Sequence, residues 1–96
     1  MLPKINPTQT AAWKALDQQF ANNDFSLRTL FQYNPNRFSE FSLKTDSYLF
    51  DYSKNLIDSK TLGLLLNLAE ETQLKEAIEK MFSGDKINET EGRAVL

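Results

Sequence analysis

Carboxylates are the side chains best placed by number for acid/base work in this sequence, which has thirteen Asp and Glu but no His and no Cys. The missing His removes the commonest general acid/base at neutral pH and the commonest metal ligand. A zinc centre would need carboxylates alone, a ligand set that ion seldom takes. Glu70 and Glu71 are adjacent, while Asp17, Asp46, Asp51, Asp58 and Asp85 fall mostly at turn and cap positions. A catalytic carboxylate needs a shifted pKa and a place facing substrate. Capping and solvation account for these positions more simply.

The densest polar run is Asp51-Tyr52-Ser53-Lys54-Asn55. It has the makings of a binding loop leaving a strand, but Ser and Asn are also ordinary turn formers, and the turn reading is preferred. Arg93 has the forked donor geometry that suits phosphate; pairing with a nearby carboxylate is the commoner fate of such a side chain. Glu91 and Arg93 are not assigned to catalysis on residue type alone. Three glycines, Gly63, Gly84 and Gly92, are too few and too scattered for a phosphate-cradling loop, and no dinucleotide, P-loop, nucleophile-elbow or zinc-protease motif occurs. The expectation is no catalytic, substrate-binding or metal-binding residue within the chain.

These groups must be positioned by a chain of 96 residues, 41% apolar, with a net charge of −2. That is one small domain or part of a larger one. Seven Phe, three Tyr and one Trp supply bulk for a core. Basic and acidic residues are interspersed, without the basic face of a nucleic-acid binder. The longest leucine run, Leu64 to Leu66, cannot span a membrane. The N-terminus lacks a signal-peptide core. Without cysteine there is no disulfide framework, which fits a reducing, cytoplasmic location.

Asn6-Pro7-Thr8-Gln9 predicts a helix start, with Asn6 as N-cap and Pro7 as first helical residue. Trp13, Leu16 and Phe20 then recur at helical spacing, with Trp13 expected in a core or as an interface anchor. Asn22-Asn23 ends that helix. Asp24 is expected to cap a second, bearing Leu27, Leu30 and Phe31, which Asn34-Pro35 stops. From Phe41 the period changes to two. Phe41 and Leu43, then Tyr48, Phe50 and Tyr52, predict a β-hairpin with aromatic cross-strand pairs about a polar turn at 44–47. Asp58 restarts helix, and Leu62, Leu65, Leu66 and Ala69 form its apolar stripe, widened by Leu64 and Leu68 beyond one face. Thr72 is expected to begin another helix, with Leu74, Ala77, Ile78, Met81 and Phe82 inward, Glu76 and Lys80 paired outside, and Gly84 just past its end.

The closing KINETEGRAVL predicts one more helix start, with Asn88 and Glu91 at capping-box spacing and Ala94 to Leu96 opening an apolar run. The whole is a mainly helical layer with one hairpin. Such a layer is expected to pack on a sheet built elsewhere, so residues 1–96 are expected to be part of a larger domain rather than an independent one. A stand-alone helical interaction module, docking a partner on its wide leucine face, is the alternative.

Three phrases carry a resemblance: Asp51 to Asn55 (DYSKN), Met81 to Asn88 (MFSGDKIN) and Thr90 to Leu96 (TEGRAVL). In this order and near this spacing the chain resembles the amino-terminal region of the glucose-6-phosphate isomerase (phosphoglucose isomerase) family. The resemblance implies an α/β parent, a three-layer sandwich with parallel sheets flanked by helices, assembled as a cytoplasmic homodimer. It implies reversible conversion of glucose 6-phosphate to fructose 6-phosphate in glycolysis and gluconeogenesis, without a cofactor. A glutamate would move a proton between C1 and C2 through an enediol. Ser/Thr hydroxyls and backbone amides would hold the phosphate, and an arginine would steady the developing charge. Those groups and the phosphate loop are expected beyond Leu96, so the present segment alone is expected to be inactive.

Overall fold

The computed structural model describes residues 1–96. A 3-10 turn at Pro7–Gln9 is followed by helices α1 (Ala11–Asn22), α2 (Leu27–Tyr33) and α3 (Arg37–Glu40). Strands β1 (Ser42–Lys44) and β2 (Leu49–Asp51) come next, then α4 (Ser59–Glu71) and α5 (Leu74–Phe82). The strands form a two-stranded antiparallel sheet in which Leu43 faces Phe50. The expected mainly helical segment with one hairpin is therefore present.

The elements lie in a slab of 50 × 37 × 17 Å with a radius of gyration of 17.1 Å. A closed domain of this length would have a radius near ~12.5 Å. A chain this spread out for its length has little interior. Only Ala12, Arg37, Phe41 and Ser53 are buried. Trp13, Leu65 and Leu66, expected to be covered, are exposed, as are Leu74, Ile78 and Phe82 of α5. The helical periodicity is right, and α1 and α4 face each other, but these 96 residues leave much of each apolar stripe exposed.

Local signals set most element ends. Asn6 accepts a hydrogen bond from the Thr8 amide at 3.0 Å, but it starts only the 3-10 turn. The α-helix proper is capped by Thr10, whose Oγ1 accepts from the Trp13 amide. Ser26, not Asp24, caps α2, with Oγ accepting from Thr29. Thr72 ends α4 rather than starting α5; Gln73 joins the two helices with φ +58°. Gly84 has φ +82°, and the amides of Gly84 and Asp85 return to the carbonyls of Met81 and Lys80. That pattern is a Schellman ending, which needs a residue at ease with positive φ. Lys80 donates to the Met1 carbonyl instead of pairing with Glu76, and the Met1 ammonium meets Asp85.

The terminal segment departs from expectation. Asn88 and Arg93 exchange both backbone hydrogen bonds (3.1 and 3.2 Å), closing a tight antiparallel turn in place of a helix start. The Asn88 side-chain oxygen Oδ1 does accept from the Glu91 amide (3.3 Å), as a capping box would require. Gly92, at φ +64°, then turns the chain back before a helical turn can close.

Candidate functional site

The most tightly organised cluster is built around Arg37, a residue whose sequence context gave no warning of it. Asn34 stops α2, and the Asn34-Pro35-Asn36 turn delivers the four-residue α3 with Arg37 at its start. Arg37 is 2% exposed. Its Nε donates to the Ser53 carbonyl (2.6 Å) and an Nη to the Asn55 carbonyl (2.7 Å). The ring centroid of Phe41 lies 4.4 Å from it and that of Phe31 5.6 Å. Carbonyl dipoles and aromatic faces thus meet the charge where no carboxylate is supplied.

The other side of this cluster is the run Asp51 to Asn55. Asp51 Oδ1 accepts from both the amide (2.9 Å) and the hydroxyl (2.6 Å) of Ser53, an Asx turn closed by its own side chain. Ser53 is 1% exposed. The Tyr52 amide continues the hairpin ladder to the Phe41 carbonyl, and the two rings meet edge to face at 5.8 Å. The loop is a strand exit clamped at Ser53 and at the Asn55 carbonyl, while the Lys54 and Asn55 side chains stand exposed. The Ser53 hydroxyl, then the Ser53 amide, hold the Asp51 carboxyl below its ordinary value, with Lys54 adding a smaller effect in the same direction.

The remaining candidate carboxylates are dispersed. Asp58 caps α4, accepting from the amide and hydroxyl of Thr61 (both 2.8 Å) and from the Gln19 amide nitrogen (3.2 Å). Desolvation works to raise its pKa, but these hydrogen bonds together outweigh it and the net shift is downward. Glu71 reaches 59 residues back to accept the Ala12 amide of α1 at 2.8 Å. An acidic group there complements the exposed N–H ends and positive pole of that helix. Glu70 does not join it. Asp85 holds the N-terminal ammonium. Arg93 pairs with Glu91, both side chains being largely exposed. No group of three or more Asp and Glu converges as a metal cage would require.

Between α1 and α4 lies an open cleft of about 520 Å³, a size that would accept a small ligand. Trp13, Leu16, Phe20, Phe25 and Leu65 supply apolar walls, and Asp17 and Asp24 are the charged side chains on its lining. A phosphorylated sugar would meet carboxylates there and no cation. The Asp51 and Asp58 carboxyls are both shifted downward. That is the wrong direction for a proton donor or acceptor poised near neutral pH.

The family model described as phosphoglucose isomerase matches residues 51–96. A glucose-6-phosphate isomerase from Desulforapulum autotrophicum is 50% identical over 97 aligned residues, covering all of this chain and 18% of that relative. The chain belongs to the phosphoglucose isomerase family. The family match opens at Asp51, the residue that closes the Asx turn, and takes in the loop that Arg37 holds. Arg37 itself lies upstream of the matched span. The chain spans less than a fifth of the length of the isomerase it matches. No helix is long and apolar enough to cross a membrane.

Proposed function

We propose that these 96 residues are the amino-terminal segment of a glucose-6-phosphate isomerase, which interconverts glucose 6-phosphate and fructose 6-phosphate in glycolysis and gluconeogenesis. The reading rests on 50% identity along the whole chain to an enzyme of that name. In it the segment is a structural layer of a larger α/β sandwich with parallel sheets, in a cytoplasmic homodimer. No catalytic or substrate-binding residue is assigned to residues 1–96. The clamping of Ser53 and of the Asn55 carbonyl by Arg37 and Asp51, the downward carboxyl shifts and the partly exposed apolar stripes favour a layer over an active centre.

Capture of the native polypeptide with an antibody against Asp58 to Gly84, followed by intact mass and isomerase assay, tests this. The expected result is a species several times heavier than 11.0 kDa that forms fructose 6-phosphate from glucose 6-phosphate, while the isolated 96 residues form none. A native species of 11.0 kDa, or a longer one without isomerase activity, overturns it.

A further inference from the structure

The α1–α4 cleft is more specific than the rest of the uncovered surface. Its walls are apolar and half open, with Phe20 84% exposed and Leu65 41% exposed. Its charged lining is acidic only, Asp17 and Asp24. It is also firmly built: Glu71 ties α4 to the start of α1, and Gln19 ties α1 to the Asp58 cap of α4. A pre-formed apolar seat edged by carboxylates fits an apolar segment flanked by Lys or Arg. A two-fold copy of the same face would bring only further carboxylates to the cleft, leaving Asp17 and Asp24 without a cationic partner and with like charge across the interface. More than four-fifths of the matched isomerase lies outside the aligned region, so chain to fill the seat exists within one polypeptide.

We propose that the cleft receives, from the part of the same polypeptide outside residues 1–96, an apolar stretch with adjoining Lys or Arg, which seats against Phe20 and Leu65 and pairs its cations with Asp17 and Asp24. This rests on the reading of the chain as one segment of a longer isomerase. Occupation would convert the exposed stripe of α1 and α4 into core and cover Trp13.

The test uses the full-length protein with a photoreactive benzophenone side chain at Phe20, and separately at Leu65 so that one poorly tolerated site does not decide the result. After irradiation and proteolysis the joined peptide is sequenced by mass spectrometry. The expected product is an intramolecular link from either site to one apolar peptide outside residues 1–96 containing Lys or Arg. Its yield should fall several-fold when Asp17→Lys and Asp24→Lys are combined. A link between two copies, addition of water alone, a peptide without a basic residue, or a yield indifferent to the charge reversal overturns the proposal. Isomerase activity of the unirradiated, unsubstituted protein is measured alongside. Its absence defeats the isomerase reading, whereas a wrong cross-link with activity intact defeats only the seating of this cleft.

Discussion

Arg37 Nε donates to the Ser53 carbonyl at 2.6 Å, and this bond joins the short α3 to the strand exit 16 residues later. Both residues are almost fully buried in a chain that buries little else. A buried cation is costly unless its donors are satisfied. Here the second bond to Asn55 and the faces of Phe41 and Phe31 complete its surroundings. The cluster is the nearest thing to a core within these residues, and it is polar at its centre.

Truncation at this point should be severe. Two hydrogen bonds from a charged donor are each worth about 1.5–3 kcal/mol, so Arg37→Ala is expected to cost roughly 3–5 kcal/mol locally. Arg37→Lys keeps the charge but cannot fork to two carbonyls, so it should recover less than half of the loss. Native-state hydrogen exchange of the Phe41 and Tyr52 amides in the full-length protein reads this directly. Arg37→Ala should lower protection by at least about a hundredfold, since each 1.4 kcal/mol is tenfold. Unchanged protection would show that the clamp does not hold the hairpin.

The Asp51 carboxyl should titrate below its ordinary range, and Ser53 should be the reason. Its hydroxyl and amide both donate to the charged form, so Ser53→Ala removes the larger of the two causes and the pKa should rise toward the ordinary value near ~3.9. The folded-state pKa is depressed, so this group stabilises the fold above its unfolded pKa. That contribution is lost as the pH falls through the folded value, in the acid range below about 4. Carboxyl carbon NMR against pH, with and without Ser53→Ala, checks both the depression and its cause. A titration that Ser53→Ala leaves in place would assign the shift elsewhere.

Much of this architecture was legible because its signals are local. The Asp58 cap, the Gly84 ending and the two-residue period from Phe41 to Tyr52 each depend on residues within one turn or one strand. What could not be read depends on distance along the chain. Arg37 looks like any surface arginine until residues 53 and 55 are folded against it. Glu71 looks like half of a solvated pair until Ala12 arrives from 59 residues away. The terminal segment failed for a different reason. The Asn88–Glu91 half of a capping box forms as its spacing suggests, but the left-handed Gly92 lets Arg93 return to Asn88. A cap signal states where a helix can begin, not that the following residues continue it. Of the candidate site, the capping role of Asp58 could be argued from sequence, whereas the α1–α4 cleft could not, because neither helix alone contains it.

Glu71 should prove to be a joint between helices rather than a surface charge. Its carboxylate accepts an amide in the first turn of α1, where negative charge complements the helix dipole for about 0.3–1 kcal/mol. Glu71→Ala also leaves that amide, on the buried Ala12, without its acceptor, for a total near ~1–2 kcal/mol. Glu71→Gln keeps an acceptor and loses only the charge, so it should cost about half as much. Exchange rates of the Ala12 and Trp13 amides in the three proteins give the ranking. Equal rates for Glu71→Ala and the parent would mean that water replaces the carboxylate at no cost.

Two positions with left-handed backbone should respond in opposite directions to substitution. Gly92 has φ +64° and Gln73 has φ +58°, a region that costs a residue with a Cβ roughly 1–2 kcal/mol. A Cβ built on Gly92 would meet nothing within 4 Å, so Gly92→Ala is opposed by backbone strain and not by collision. The lower entropy of the unfolded alanine chain returns about 0.4–1 kcal/mol, leaving a net loss near ~0.5–1 kcal/mol. At Gln73 the same terms reverse. Gln73→Gly relieves the strain at the junction of α4 and α5 and gives back part of the gain through the unfolded state, for a net stabilisation of about 0.5 kcal/mol. Amide exchange in α5 and at the Asn88–Arg93 turn distinguishes the two cases: slower exchange in α5 for Gln73→Gly, faster exchange at the turn for Gly92→Ala. If both substitutions destabilised alike, the left-handed backbone would not be the term that governs either site.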